Sequence, residues 1–235
     1  MSRASLPMYD WPEQRHTTDA LWARIREGLA GLLPATLCRP VDHAALNRHW
    51  RDPALRLSQC CWGPLSLGLE AHLRVLAQPD YSDVPGGQGP FYRSALIARE
   101  GQAVAPPGGH AAALPADILS RRVLAVNGRD SMSGWLALAA DLGGDPAHLA
   151  AGVVETGGHR ASVRAVAEGR ADLAAIDCRS WAMALAHEPA AEGLVVIGWT
   201  AARPGLPYVT ARTTDAALVR KLQDRLTAMG CHPPH

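Results

Sequence analysis

Along nearly the whole chain, short apolar runs of strand length alternate with segments whose apolar residues recur at helical spacing. That alternation constrains the fold more than any other feature, because strand, helix and strand in succession form the crossover unit of a parallel sheet. The series opens with "ASLPMYD" and the pattern "TTDALWARIREGLAGLL", where Leu21, Trp22, Ile25, Leu29 and Leu32 share a face and Thr17 or Thr18 is the expected cap. It continues through "ATLCRP" and "HAALNRHWRD", then "LRLSQCCW" and a helix over "GPLSLGLEAHLRVLA", and "FYRSALIARE" closes it. Residues 101–115, "GQAVAPPGGHAAALP", carry clustered Pro and Gly without an apolar period and read as a loop or linker. The alternation then resumes: "RVLAVNG", a helix from Ser133, "AGVVETG", "HRASVRAVAEG", "ADLAAID", "CRSWAMALAHEP", "GLVVIGWTA", and a last helix stopped by Gly230. The expectation is an α/β protein of two lobes around a cleft, each lobe a mostly parallel sheet flanked by helices. Residues 1–98 with 200–235 are expected to form one lobe and 99–199 the other.

Composition narrows the function classes. A chain of 235 residues with 48% hydrophobic and 19% charged residues can bury a substantial core and is not disordered. A net charge of +1 supplies no bulk field to recruit nucleic acid or a membrane surface, so any anion must be held locally. Lys221 is the only lysine and falls in a polar C-terminal helix, which argues against a lysine nucleophile. Five cysteines, Cys38, Cys60, Cys61, Cys178 and Cys231, form no CxxC pair and are odd in number, a pattern of buried thiols in a reducing compartment. No phosphate-loop GxxxxGK[ST] or HExxH is present, and neither a metal nor a cofactor is expected. Pro7, Asp10, Pro12 and Glu13 interrupt any secretory apolar run, and no segment reaches the ~20 apolar residues of a membrane span. As the sequence stands the expected compartment is the cytoplasm, or the periplasm if a natural leader has been removed.

Strand ends are where an open α/β sheet does its chemistry, and several are richer than a turn requires. In "VNGRDSMSGWLALAADLGG", residues 126–144, two hydroxyls and a glycine stand where a strand becomes a helix. Ser131 or Ser133 can simply cap the helix, or the hydroxyls and N–H groups at its positive end can hold an anion. Thr156-Gly157-Gly158-His159-Arg160 repeats the arrangement, with cations placed against the helix dipole, a conflict that a bound oxyanion would reverse. Asp177 follows "ADLAAI" and either caps the next helix or accepts a hydrogen bond from a protonated ligand oxygen or amine. Tyr9-Asp10-Trp11-Pro12 reads as a turn or as a lip of the cleft. Ser58-Gln59-Cys60-Cys61-Trp62-Gly63-Pro64 reads as inert thiols or as a turn presenting the indole or backbone N–H groups. Three such ends following one another in the second block form the strongest signal.

The stretches "YRSALIAR", "NGRDSMSGWLAL", "ETGGHRASVRAVAEGRADLAAIDCRSW" and "GLPYVTAR" resemble the phosphonate/phosphate-type substrate-binding proteins of ABC transporters, within the type 2 periplasmic-binding-protein fold. The resemblance implies hinge closure of two lobes on a ligand. It places an oxyanion on Ser131, Met132, Ser133 and Gly134, with His159 and Asp177 beside it and Tyr9, Trp62 and Tyr92 as the first-lobe wall. It implies a monomer, a small anionic ligand, and as partners the membrane subunits of a transporter or a sensor protein, without nucleic acid or membrane insertion. A hydroxyl residue is common in the family where this chain has Met132, which removes one side-chain hydrogen bond. Two other readings stand beside this one. The first is a cytoplasmic enzyme on the same fold, of thiamine-pyrimidine or menaquinone-precursor type, with His159 or Cys61 reacting. The second is a sensing domain working through a partner.

Overall fold

The computed structural model describes residues 2–234. In chain order its strands are β1 (Arg3–Ala4), β2 (Leu55–Gln59), β3 (Leu73–Ala77), β4 (Phe91–Tyr92), β5 (Ser94–Ala98), β6 (Val123–Val126), β7 (Gly152–Glu155), β8 (Leu173–Asp177), β9 (Val195–Trp199), β10 (Arg203–Pro204) and β11 (Tyr208–Ala211). The chain divides into two compact units, Met1–Asp80 with Pro204–His235, and Tyr81–Arg203.

The first unit carries a sheet of order β1-β2-β11-β3, in which β1 and β2 are parallel and β11 runs antiparallel to both of its neighbours. Trp22, Ile25, Leu57, Leu76, Leu222 and Leu226 belong to one core cluster of this unit, and Trp50, Leu55, Leu65, Leu73 and Val209 to a second. The helix Arg15–Arg26 ends earlier than its apolar period predicts. Glu27 is extended and Gly28 takes φ +74, a conformation glycine adopts without strain. Leu29 and Leu33 still reach the core from the loop that follows. The residue before that helix is Gln14, so neither Thr17 nor Thr18 caps it, and "ATLCRP" forms no strand. The helix expected over "GPLSLGLEAHLRVLA" stops at Ser66. Gly68, with φ +119, turns the chain, and "LRVLA" becomes β3 because it pairs along β11.

The second unit carries a five-stranded sheet of order β7-β6-β8-β5-β9. Its β6, β7 and β8 are mutually parallel, whereas β5 is antiparallel to β8 and β9, so the sheet is mixed rather than mostly parallel. Leu96, Ile118, Leu124, Leu138 and Leu173 are fully or nearly fully buried around it. The segment expected to end the first lobe at residue 98 lies in this unit, because all five residues of β5 are buried between β8 and β9. The unit boundaries therefore fall at 80/81 and 203/204 rather than at 98/99 and 199/200. The remaining elements of the second block follow the expected alternation, with helices His159–Ala167 and Cys178–His187 after β7 and β8.

Candidate functional site

Parallel pairing brings three strand ends of the second unit to one edge. Val126 of β6 faces Glu155 of β7, and Ala125 faces Ala174 of β8, so the turns after 126, 155 and 177 open side by side. Antiparallel β5 adds its first residue there, since Ser94 is the register partner of Asp177.

After β6, Ser131 caps the helical segment 132–142, accepting from Gly134 N at 3.1 Å. The segment starts as a π-turn, Met132–Leu136, and continues as the α-helix Ala137–Leu142. Ser131 O accepts from both Trp135 N (3.1 Å) and Leu136 N (3.0 Å), so the ladder begins there and the preceding N–H groups sit at the positive end of the helix. Ser94 Oγ donates to Ser133 O at 2.9 Å and fixes the turn from the neighbouring strand. Gly134 is required by contact, since a Cβ there would stand 1.9 Å from Asn127 Oδ1.

The hydroxyls form a connected line. Ser131 Oγ and Ser133 Oγ are 3.3 Å apart, and Ser133 Oγ lies 2.9 Å from His159 Nε2. Asp177 Oδ2 is 3.3 Å from the same Nε2, while Asp177 Oδ1 accepts from Ser180 N and caps the helix Cys178–His187. Asp177 therefore caps its helix, as one of its two expected roles required, and its other oxygen faces His159. Burial pushes the His159 pKa below its usual value against the opposing pull of Asp177, so the ring is neutral near pH 7. Two acceptors at this edge are buried without a hydrogen-bond partner, His159 Nδ1 and Asn127 Oδ1. Each such group costs about 1–3 kcal/mol in an apolar surrounding.

The cation conflict in "GGHR" resolves within the protein. Arg160 Nε donates to Glu188 Oε2 at 2.6 Å and Arg164 Nε to the same oxygen at 2.9 Å. Burial would raise the Glu188 pKa, but the hydrogen bonds from Arg164 and Arg160 outweigh it and bring it to about 2. Arg160 thus needs no ligand to balance it, and His159 avoids the conflict by being neutral. The other nearby arginines are also engaged. Arg129 pairs with Glu155 and stacks on Trp135, Arg179 pairs with Asp83, and Arg93 donates to the carbonyls of Ala111 and Thr200.

Ser131, Ser133, Gly134, His159 and Asp177 are thus brought together, with Met132 in the same turn. Tyr92 belongs to the second unit, not to a first-lobe wall; it is buried, its ring 5.7 Å from that of Tyr81. Tyr9 and Trp62 lie in the first unit. The Trp62 indole N–H, one of the groups the turn could have presented to a ligand, donates to Gly205 O at 2.7 Å. Asp10 is tied to Arg39 at 2.7 Å. All five cysteines are free thiols, and burial followed by Asp177 pushes Cys178 up to about 12, so it carries no thiolate. Sequence reasoning missed Asn127 and Ser94. Asn127 was in the quoted stretch but gains its meaning only from contact with Gly134, and Ser94 only from the antiparallel register of β5.

Comparison with known proteins gives the family and the fold. Residues 65–234 match the family described as ABC transporter, phosphonate, periplasmic substrate-binding protein. No curated protein matches the sequence. Among solved structures, PhnD1 from Prochlorococcus marinus in complex with methylphosphonate superposes with a TM-score of 0.71 at 15% identity, over 96% of this chain and 83% of that one. The binding-protein component of an ABC phosphonate transporter from Pseudomonas aeruginosa gives 0.69 at 17% identity, over 99% and 80%. A histidine kinase sensor domain with similarity to periplasmic binding proteins gives 0.66 at 14%, over 99% and 98%. These likenesses establish the two-lobed periplasmic-binding-protein fold, and nothing in them supports the enzyme reading. Among the described residues no helix is long and apolar enough to cross a membrane. The chain belongs to the periplasmic substrate-binding proteins of phosphonate ABC transporters, a family whose role is to bind a solute and not to transform it.

Proposed function

We propose that the chain binds a small phosphonate- or phosphate-type oxyanion at the open end of the helical segment 132–142. Its N–H groups and the hydroxyls of Ser131 and Ser133 are the donors. The observation that carries this reading is the buried line Ser131–Ser133–His159, with contacts of 3.3 and 2.9 Å, standing at a helix N-terminus. Helix-terminal amides and hydroxyls match an anion's acceptor oxygens without a charged side chain. Gly134 and Met132 complete the turn, and the methionine adds an apolar contact where a further hydroxyl would select a more polar ligand. Asp177 acts on the same His159 Nε2 that faces Ser133. Tyr92 in the second unit, and Tyr9 and Trp62 in the first, enter the reading on the family resemblance, each to be tested by its own substitution.

The protein acts as a monomer in the periplasm, where its family works, and hands its ligand to the membrane subunits of a transporter. The test is a thermal-shift panel of phosphate, methylphosphonate, methanesulfonate and small carboxylates. A ligand present at about 100 times its Kd adds about 2.7 kcal/mol of stability. A shift with phosphonate or phosphate is expected. Shifts with carboxylates alone, or none at all, would reject the oxyanion assignment.

A further inference from the structure

The hydrogen-bond donors at this turn of the second unit are neutral groups. Arg93, Arg129, Arg160, Arg164 and Arg179 are all committed to carboxylates or carbonyls, and the donors are hydroxyls and amides. The imidazole of His159, 12% exposed, is a titratable group in direct contact with the hydroxyl line. Its Nε2 faces Asp177 Oδ2 at 3.3 Å, and a carboxylate there holds the proton on Nε2. The buried Nδ1, with no hydrogen-bond partner, is then a lone pair able to take a second proton.

Building on the oxyanion reading, we infer that a doubly charged oxyanion binds together with one proton, which passes from solvent to His159 Nδ1 and leaves an imidazolium whose Nε2 faces both the Ser133 hydroxyl and Asp177. The balance is one proton removed from buffer for each dianion bound. A singly protonated ligand releases one proton as His159 takes one up, so none is drawn from buffer.

The groups facing His159 favour this assignment. From β8 comes Asp177, the counter-charge. The helix Cys178–His187 brings Cys178, which burial keeps protonated, Arg179, held by Asp83, and His187, whose carbonyl accepts from Arg160. Glu188, just beyond it, is neutralised by Arg160 and Arg164 of the histidine's own helix. Strands β5 and β6, which also pack on that helix, contain no charged residue.

The experiment is calorimetric titration of the full chain with methylphosphonate, at a pH where it is doubly charged, in buffers of different ionisation enthalpy. Methanesulfonate, which stays singly charged, is the control. We expect uptake approaching one proton per methylphosphonate and none with methanesulfonate. In His159→Gln, which keeps a hydrogen-bonding side chain, uptake disappears. In Asp177→Asn, which still accepts from Ser180 N, methylphosphonate weakens about tenfold more than methanesulfonate, the effect of about one pKa unit on His159. Wild-type binding of methylphosphonate without uptake, or unchanged uptake in His159→Gln, would overturn the inference and leave the oxyanion reading intact. Absence of any oxyanion binding by the wild type would overturn both.

Discussion

Gly134 shows how a single residue limits what the turn tolerates. An added methyl meets Asn127 Oδ1 at 1.9 Å, and Asn127 is itself packed at the end of β6. Gly134→Ala is expected to lower the melting temperature and weaken anion binding. Asn127→Ala in the same chain should restore part of the loss, because the two positions share one contact and their effects are not additive. Strictly additive effects in a double-mutant cycle would contradict the contact. Ser131, Ser133 and His159 stood out in the sequence as polar residues at strand-to-helix junctions, where helix capping and anion binding draw on the same groups. Asn127 was not, since its role depends on a Gly134 contact that no local pattern encodes.

At the scale of elements, the helix His159–Ala167 is tied down by Glu188, which is nearly buried and accepts from both Arg160 and Arg164. Glu188→Gln removes the charge that both guanidiniums face and should cost about 1.5–3 kcal/mol in urea unfolding, as for hydrogen bonds to charged groups. A change within 0.5 kcal/mol or so would mean that the pair is screened like a surface bridge. Most elements of the second block were legible in the sequence because strand and helix periods alternate cleanly there. The first block was harder. "LRVLA" carries a pattern compatible with either period and becomes β3 only through pairing with β11, which lies more than a hundred residues along the chain. The antiparallel direction of β5 was invisible for the same reason, and with it the true position of the unit boundary.

For the molecule as a whole, acid stability should record the buried histidines. Burial lowers the pKa of both His49 and His159 in the folded chain. Their contribution is fully present above the unfolded value near 6.5 and declines as pH falls below it, because the unfolded chain then binds protons that the folded chain refuses. Glu188 adds a second decline, starting below its unfolded value of 4.5 and continuing towards about 2. Urea midpoints measured across this range should fall on acidification, less steeply in His159→Gln; a flat profile from neutral pH to 5 would contradict the burial argument. On the proposed reading, a neutral His159 beside the hydroxyls of Ser131 and Ser133 makes an anion cradle whose donors carry no charge before the ligand arrives. The central claim is that this cradle binds a phosphonate-type oxyanion, and calorimetric titration of wild type and Ser133→Ala with methylphosphonate tests it most directly. Saturable binding of one ligand per chain, largely lost in Ser133→Ala while the variant keeps its fold, is the expected result. Equal binding by both proteins, or by neither, would contradict it.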